Sequence, residues 1–349
     1  MKIIIATAQA LFVKGGAEFL AANLCTALTN AGHQVEIVNI PFMDRPLEII
    51  EDQMIAARLM EISASWAGRT DLCIGLKFPS YYIPHPNKVL WILHQHRAAY
   101  DLFDTPYSNI KNDDVGNEVR NLILNGDNHY LPEAKRIYTI AKNVSKRLEK
   151  YNGIASTPLY HPCPGMEQFY CDRYEEYILM PSRITQAKRQ YLALEALAET
   201  KERVMLYILG KADHEAEKKK LDDYIEEHHL QDRVRFLDFV PQEEKVRLYA
   251  NAKAVLFIPK DEDYGYITLE AMAASKPVIT TTDSGGPLEF VVQHENGIIA
   301  DPNASAIAEA MDTLWGSKAM PQEYGQRARK MLDEMEITWD RVVKELIGR

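Results

Sequence analysis

Two glutamates, Glu262 and Glu270, stand with seven residues between them and a glycine, Gly265, inside the interval. The chain there reads Glu262-Asp263-Tyr264-Gly265-Tyr266-Ile267-Thr268-Leu269-Glu270, followed by Ala271-Met272-Ala273-Ala274. A short apolar run, Ala254–Ile258, leads into this stretch as a strand, and a helical pattern opens after it. Gly265 lets the backbone approach a ligand closely. The first N–H groups of a helix lack intrahelical partners, and they favour phosphate. Glu270 falls in the first turns of that helix, where a carboxylate can accept both hydroxyls of a ribose, as an acidic residue does in dinucleotide-binding folds. Glu262 precedes the turn and is placed for hydroxyls of a sugar. The same spacing also serves a plain helix cap, so the chemistry depends on the elements around it.

Those elements alternate. In the first half, strands are predicted at Lys2–Ala6, Gln34–Ile40, Asp71–Leu76, Lys88–Leu93 and Arg136–Ile140, with helices near Ala17–Ala31, Leu47–Trp66 and Val144–Tyr151. In the second half, strands are predicted at Tyr177–Met180, Val204–Leu209, Val234–Leu237, Ala254–Ile258, Pro277–Thr280 and Gly297–Ile299. Helices fall near Lys188–Thr200, Glu215–His229, Glu243–Ala250, Thr268–Ala274 and Ser305–Trp315. Strand–helix alternation implies an α/β protein with parallel sheets covered by helices on both faces, and ligand sites at the carboxyl ends of the strands. Thr157–Gly165 holds three prolines and a glycine, which excludes a helix or a central strand. It is read as the interdomain linker. The expected domains are 1–164, 165–325 and a terminal pair of helices at 326–349, with the two sheets facing one cleft.

The stretch from Glu262 to Val278 resembles the E-x7-E signature of the family 4 retaining glycosyltransferases, E-G-F-G-x-x-x-x-E-A-M-A-x-G-x-P-V. Tyr264 replaces the Phe, Ser275-Lys276 stand where Gly and a variable residue are common, and Pro277 and Val278 match. Tyr177–Leu197 is similar to the family's strand followed by G-R-L-x-x-x-K-G: Arg183 and Lys188 keep the separation, while Ser182 and Arg189 replace the two glycines. Lys14-Gly15-Gly16-Ala17-Glu18 and Gly32-His33-Gln34-Val35 resemble the family's G-G-x-E and G-H-x-V opening. His94-Gln95-His96-Arg97 follows the strand Lys88–Leu93, where the family often places a histidine against the transferred sugar, and His94 is the best match. Asp283–Glu289, Glu295-Asn296-Gly297 and the last segment from Thr338 also resemble family loops and the family's terminal helix.

The resemblance implies the GT-B fold, two Rossmann-like domains, with the acceptor on the N-terminal one and the donor on the C-terminal one. It implies that Glu270 holds the ribose, that Arg183 and Lys188 hold the diphosphate, and that the amides of Gly265, Tyr266 and Ile267 support phosphate or sugar. Glu262 and His94 position the sugar, Gly15 and Gly16 lie close to donor phosphate and acceptor, and the base packs near Phe239-Val240. Two cations fit the negative charge that develops on a departing nucleoside diphosphate, Arg as a forked donor and Lys as a mobile point charge. The activity implied is transfer of a hexose-type sugar, with retention, from a UDP- or GDP-sugar to a glycan, lipid-linked or small-molecule acceptor. No metal or other cofactor is expected. Asp261-Glu262-Asp263 looks like the metal motif of the other large glycosyltransferase fold, but that fold does not produce this two-domain pattern.

Composition sets the outer bounds. The chain has 349 residues, 46% hydrophobic and 26% charged, with a net charge of −10. That is a globular profile, and the acidic balance disfavours nucleic acid as a partner. The N-terminus reads as a buried strand instead of a signal peptide. No apolar run reaches the roughly 20 residues of a membrane span. A cytoplasmic location is expected, with peripheral contact at the inner membrane face as a further partner surface. The four cysteines form no CxxC pair and no zinc spacing. Two other classes share the same motifs: a GT-B nucleotide-sugar epimerase and a non-catalytic nucleotide-sugar-binding protein.

Overall fold

The computed structural model describes residues 1–13 and 15–348; Lys14, the first residue of the Gly15-Gly16 motif, lies outside them. The chain divides into two compact units, Met1–Pro164 together with the segment from Thr338 onward, and Gly165–Ile337.

The first unit contains strands Lys2–Gln9 (β1), Gln34–Pro41 (β2), a small antiparallel hairpin Ala64–Ser65 and Gly68–Arg69 (β3, β4), Leu72–Gly75 (β5), Lys88–Ile92 (β6), Arg136–Thr139 (β7) and Thr157–Pro158 (β8). Six of them form one parallel sheet in the order β2-β1-β5-β6-β7-β8. Its helices are Gly16–Asn30 (α1), Ile49–Leu59 (α2), Asp114–Tyr130 (α3), Lys142–Asn152 (α4) and Trp339–Ile347, the last helix of the chain. Residues 3–6 of β1 and 89–92 of β6 are continuous buried apolar runs, as a parallel sheet covered on both faces requires.

The second unit repeats the plan. Ile178–Pro181 (β9), Leu206–Leu209 (β10), Val234–Leu237 (β11), Ala254–Leu256 (β12), Val278–Thr281 (β13) and Gly297–Ala300 (β14) form a parallel sheet in the order β11-β10-β9-β12-β13-β14. Helices Gln190–Glu199 (α5), Glu215–Glu227 (α6), Gln242–Asn251 (α7), Tyr266–Ala273 (α8), Ala304–Gly316 (α9) and Met320–Glu334 (α10) belong to it, and Trp339–Ile347 is thus α11. Ile178, Met180, Leu206, Ile208, Leu256 and Ile279 meet Leu194, Leu197 and Met311 in one core.

The α/β reading with two parallel sheets is what the structure shows, and three local expectations change. The helix predicted at Leu47–Trp66 stops at Leu59, and the hairpin β3–β4 follows it. Helix α3 has no counterpart among the predicted elements: it is polar, and its buried face includes Gly116, Gly126 and Asp127, so apolar periodicity is weak. The proline-rich segment from Thr157 is not a bare linker. Thr157–Pro158 pairs with β7 as an edge strand, the one sheet position where proline is tolerated. Beyond it, His161 is buried and stacks on Trp339 (ring centroids 5.9 Å apart), edge-on to Trp91 (5.3 Å).

Burial pushes the His161 imidazole down to about 3. As pH falls, the unfolded chain takes up this proton near pH 6.5, whereas the folded one resists it. Stability is therefore full above about pH 6.5 and falls by up to about 1.4 kcal/mol per pH unit below it. Urea unfolding of the parent and of His161→Gln between pH 7 and 4 checks this. The parent is expected to lose stability more steeply, and equal slopes would contradict the buried neutral ring.

Candidate active site

Parallel strands end at one edge of a sheet, so the loops that follow them share that edge. In the second unit three such loops are laced together by backbone hydrogen bonds. Lys260 N–H donates to Ala187 O (2.8 Å), Asp261 N–H to Asp283 O (2.9 Å) and Glu262 N–H to Ser284 O (2.9 Å). Gly286 N–H returns a bond to Glu262 O (2.7 Å). The segment carrying Lys188 is thereby joined to the loop carrying Glu262, and that loop to the Asp283–Gly286 turn.

On this frame Lys188 Nζ donates to Glu262 Oε2 in a close ion pair, 5.4 Å from the Phe257 ring. Neither motif alone required these two residues, 74 positions apart, to meet. Arg183 is 73% exposed and pairs with Asp213 on the loop after β10 at 3.1 Å. Exposed pairs of this kind contribute about 0–1 kcal/mol, so Arg183 is readily released to another anion. Gly265 sits at φ +87° before α8, and a Cβ there would press to 3.0 Å on Phe257. The turn therefore needs glycine for its backbone as well as for any ligand. Tyr266 and Ile267 open α8, and Thr268 N–H closes the turn on Gly265 O at 3.0 Å.

Glu270 lies inward on α8, 4% exposed. Its carboxylate accepts from Lys245 Nζ (2.5 Å) and from the Tyr249 hydroxyl (2.6 Å), both on α7. A carboxylate has about four acceptor positions, so these two donors leave capacity for hydroxyls. Lys245 and Tyr249 were not singled out in the sequence; their i, i+4 spacing on a predicted helix was the available signal. Val240 is half-buried and its neighbour Phe239 is exposed, both after β11.

Arg189 is the other residue whose role the sequence did not disclose. It occupies a left-handed conformation, φ +60°, as the residue preceding α5. That conformation costs an L-residue about 1–2 kcal/mol, which is why a glycine is common at the position in the resembled motif. Here a forked pair to Asp283, 2.8 and 2.7 Å, offsets it. Lys260 adds a third bond to Asp283 at 3.0 Å. Burial pushes the Asp283 carboxyl up, but the Arg189 and Lys260 cations overcome it and hold the group well below the usual carboxylate range. Gly210, after β10, has a steric role: a Cβ there would lie 2.2 Å from Ser182 O.

In the first unit Gly15 precedes α1 in an extended conformation, and its N–H donates to the Glu18 carboxylate at 2.7 Å. Gly16 is the first residue of α1. His94, beyond β6, has Nδ1 2.7 Å from Gln95 O. A carbonyl only accepts, so in the neutral ring Nδ1 carries the proton and Nε2 is the acceptor nitrogen. Gln95 is fully buried and donates to Asn152 (2.6 Å) and Asp127 (3.2 Å). Asp127 also accepts from the hydroxyls of Tyr81 (3.0 Å), Tyr82 (2.6 Å) and Tyr100 (2.5 Å). Because Gln95 is anchored inward, its neighbours His94 and His96 are fixed at the strand's end. Burial, reinforced by His94, pushes His96 down to about 4, so its ring is neutral at pH 7.

A depressed carboxyl contributes stability that is present above its unfolded value, about 3.9, and is lost as pH falls toward its folded one. Comparing the unfolding free energy of the parent with that of Asp283→Asn from pH 6 to pH 2 tests the Asp283 cluster. The parent is expected to be more stable at pH 6, with the gap closing only below about pH 4. A gap unchanged down to pH 2 would mean the ion pairs are not its source.

Comparison with known proteins agrees with this geometry. The family described as "Glycosyl transferases group 1" matches residues 171–331. The human alpha-1,3/1,6-mannosyltransferase ALG2 is 29% identical over 173 residues, 45% of this chain and 41% of that protein. An uncharacterised glycosyltransferase of Methanocaldococcus jannaschii is 30% identical over 181 residues, 50% of this chain and 44% of that one. The chain thus spans less than half the length of these curated relatives. Sucrose-phosphate synthase of Thermosynechococcus elongatus superposes with a TM-score of 0.78 at 16% identity, over 100% of this chain and 98% of that one. Anabaena HepE, solved with UDP-glucose, gives 0.73 at 16% over the same shares. At such identities the likeness speaks for the fold, which is GT-B. Residues 171–331, the segment that carries Arg183, Lys188, Glu262 and Glu270, thus match the glycosyl transferases group 1 family.

Proposed function

We propose that the protein is a retaining glycosyltransferase that moves a hexose-type sugar from a UDP- or GDP-sugar to a hydroxyl acceptor without a metal. The observation that carries this reading is the Lys188–Glu262 ion pair beside the start of α8, with Glu270 buried behind it. The donor lies on the second unit. Glu270 takes the ribose hydroxyls on the oxygen positions that Lys245 and Tyr249 leave unused, and Val240 lies against the base. The diphosphate takes Lys188 from Glu262 and Arg183 from Asp213, and the first amides of α8 support it. Glu262, released from Lys188, turns to the sugar hydroxyls.

The first unit receives the acceptor, near Gly15, Gly16 and His94. The acceptor oxygen bonds the anomeric carbon as the bond to the diphosphate breaks, and the acceptor proton passes to the departing diphosphate. Lys188 and Arg183 stabilise the charge that accumulates there; preorganised donors of this kind each contribute about 100-fold or more in rate. Work at the cytoplasmic face of a membrane belongs to the same proposal, and no helix among the described residues is long and apolar enough to cross one.

A melting panel of nucleotide sugars tests the donor. A true donor at 100 times its Kd stabilises by about 2.7 kcal/mol, and no shift with any nucleotide sugar or nucleoside diphosphate would sink the proposal. The two glutamates separate in the same assay. Glu270→Ala is expected to weaken nucleoside diphosphate binding about tenfold or more. Glu262→Ala is expected to keep or tighten that binding, because it frees Lys188, while cutting transfer about 100-fold. Equal loss of nucleotide affinity in both variants would mean the roles are wrongly divided.

A further inference from the structure

Lys276 carries its ammonium into the interior of the second unit. The residue follows α8, at a position that the resembled motif leaves variable, and it is fully buried. A buried charge ordinarily pairs with an opposite one or gives up its proton. Among the described residues, Lys276 Nζ has two acceptors and neither is a carboxylate: Arg173 O (2.6 Å) and Cys171 Sγ (3.2 Å). It also stands 3.8 Å from the centre of the Tyr174 ring. Asp172, beside Cys171 in the chain, pairs with Arg173 instead. Burial pushes the Lys276 ammonium below the usual lysine range, with Cys171 opposing, so the neutral amine comes within reach.

Cys171, by contrast, is exposed, whereas Cys25 is half-buried and Cys73 and Cys163 are buried. A thiol that touches a cation and is open to solvent has the surroundings of a reactive cysteine. Both partners are held in place. On the cysteine side, Asp172 N–H and Arg173 N–H donate to Ala250 O near the end of α7 (2.9 and 3.2 Å). On the lysine side, Lys276 N–H donates to Ala271 O (2.8 Å), and the Tyr174 hydroxyl donates to Ser275 O (2.9 Å). Helix α10 closes over that turn: a Cβ on Gly325 would lie 1.9 Å from Ser275 O. The amine therefore meets the sulfur from the interior, while an oxidant in solution comes from outside.

We propose that Cys171 and Lys276 are the two ends of a crosslink made by hydrogen peroxide, a sulfenamide. The thiol first passes its proton to the Lys276 amine. The thiolate then takes one oxygen from the peroxide and becomes a sulfenic acid. The other peroxide oxygen leaves as water, completed by the proton from Lys276, and the amine is neutral again. Its lone pair attacks the sulfur from the interior side as the S–O bond breaks, and a second water departs with one amine hydrogen. Thiol and amine each give up one hydrogen; the sulfur loses two electrons, and the peroxide gains them. A sulfenic acid condenses in the same way with a backbone nitrogen. The link ties the turn after α8 to the segment held at the end of α7, and it closes the chain between residues 171 and 276 into a loop.

The test exposes the full chain to hydrogen peroxide and reads intact mass, peptide maps and melting. The parent is expected to become two hydrogens lighter, with the Cys171 peptide joined to the Lys276 peptide. It also melts higher, because the link constrains the unfolded chain, and dithiothreitol reverses all three changes. Lys276→Met loses the crosslink and leaves a sulfenic acid that dimedone traps on Cys171; Cys171→Ser loses both. The parent's own mass carries the proposal, so a folding defect in either variant does not hide the answer. Oxygen gained at Cys171 with no loss of hydrogen, or no reaction at Cys171, would overturn it. So would a lighter parent whose map joins Cys171 to Cys163 and whose link persists in Lys276→Met, since that is a disulfide. None of these readouts involves a nucleotide or a sugar, so the glycosyltransferase reading stands or falls separately.

Discussion

The second unit's functional edge depends on one carboxylate. Asp283 is the common partner of Arg189 and Lys260, and its own backbone carbonyl accepts from Asp261. Through it the turn before α5, the loop after β12 and the loop after β13 become one rim. Two cations on one acceptor hold charge in place at little cost in mobility, because Arg forms two parallel bonds and Lys needs only one. With the rim fixed, Lys188 and Glu262 have a defined separation, and the charge pair that the proposed chemistry draws on is formed without a ligand.

The first unit solves the same problem with a buried hub. Asp127 collects three tyrosine hydroxyls and the Gln95 amide in a place without solvent. Burial pushes its carboxyl up, and the four donors counter that. The hub reaches the site indirectly: with Gln95 pinned beneath the strand end, the histidines on either side of it take fixed positions. One unit therefore organises its edge by partly buried charge and the other by buried hydrogen bonds. This fits the proposed placement of a charged diphosphate on the second unit.

Arg189 shows how a departure from a motif is accommodated. The backbone there needs a left-handed residue, and the chain places an arginine where the resembled motif has glycine. The strain is offset by an ion pair that glycine could not make, so the substitution adds a tie to the rim. Phe12 has a similar positive φ, +63°, without such an ion pair.

Much of this was legible in the order of residues. Apolar runs of strand length alternating with helical periods dictate parallel α/β sheets, because such strands must be covered on both faces and joined by crossovers. The spacing of Glu262, Gly265 and Glu270 likewise marks a strand–turn–helix, since one backbone geometry needs glycine there. What the order could not hold was any relation between distant segments. That Lys188 pairs with Glu262, that Lys245 and Tyr249 hold Glu270, and that Asp283 gathers Arg189 and Lys260 all follow from strand order in the sheet. Helix α3 stayed hidden because glycine and aspartate take three of the five buried positions on its inward face, leaving only Val119 and Ile123 as apolar markers, and His161 looked like linker because prolines surround it. Local periodicity records which face of an element is buried; only the folded sheet decides which side chains meet at its edge, because it brings loops from separate crossovers to one line.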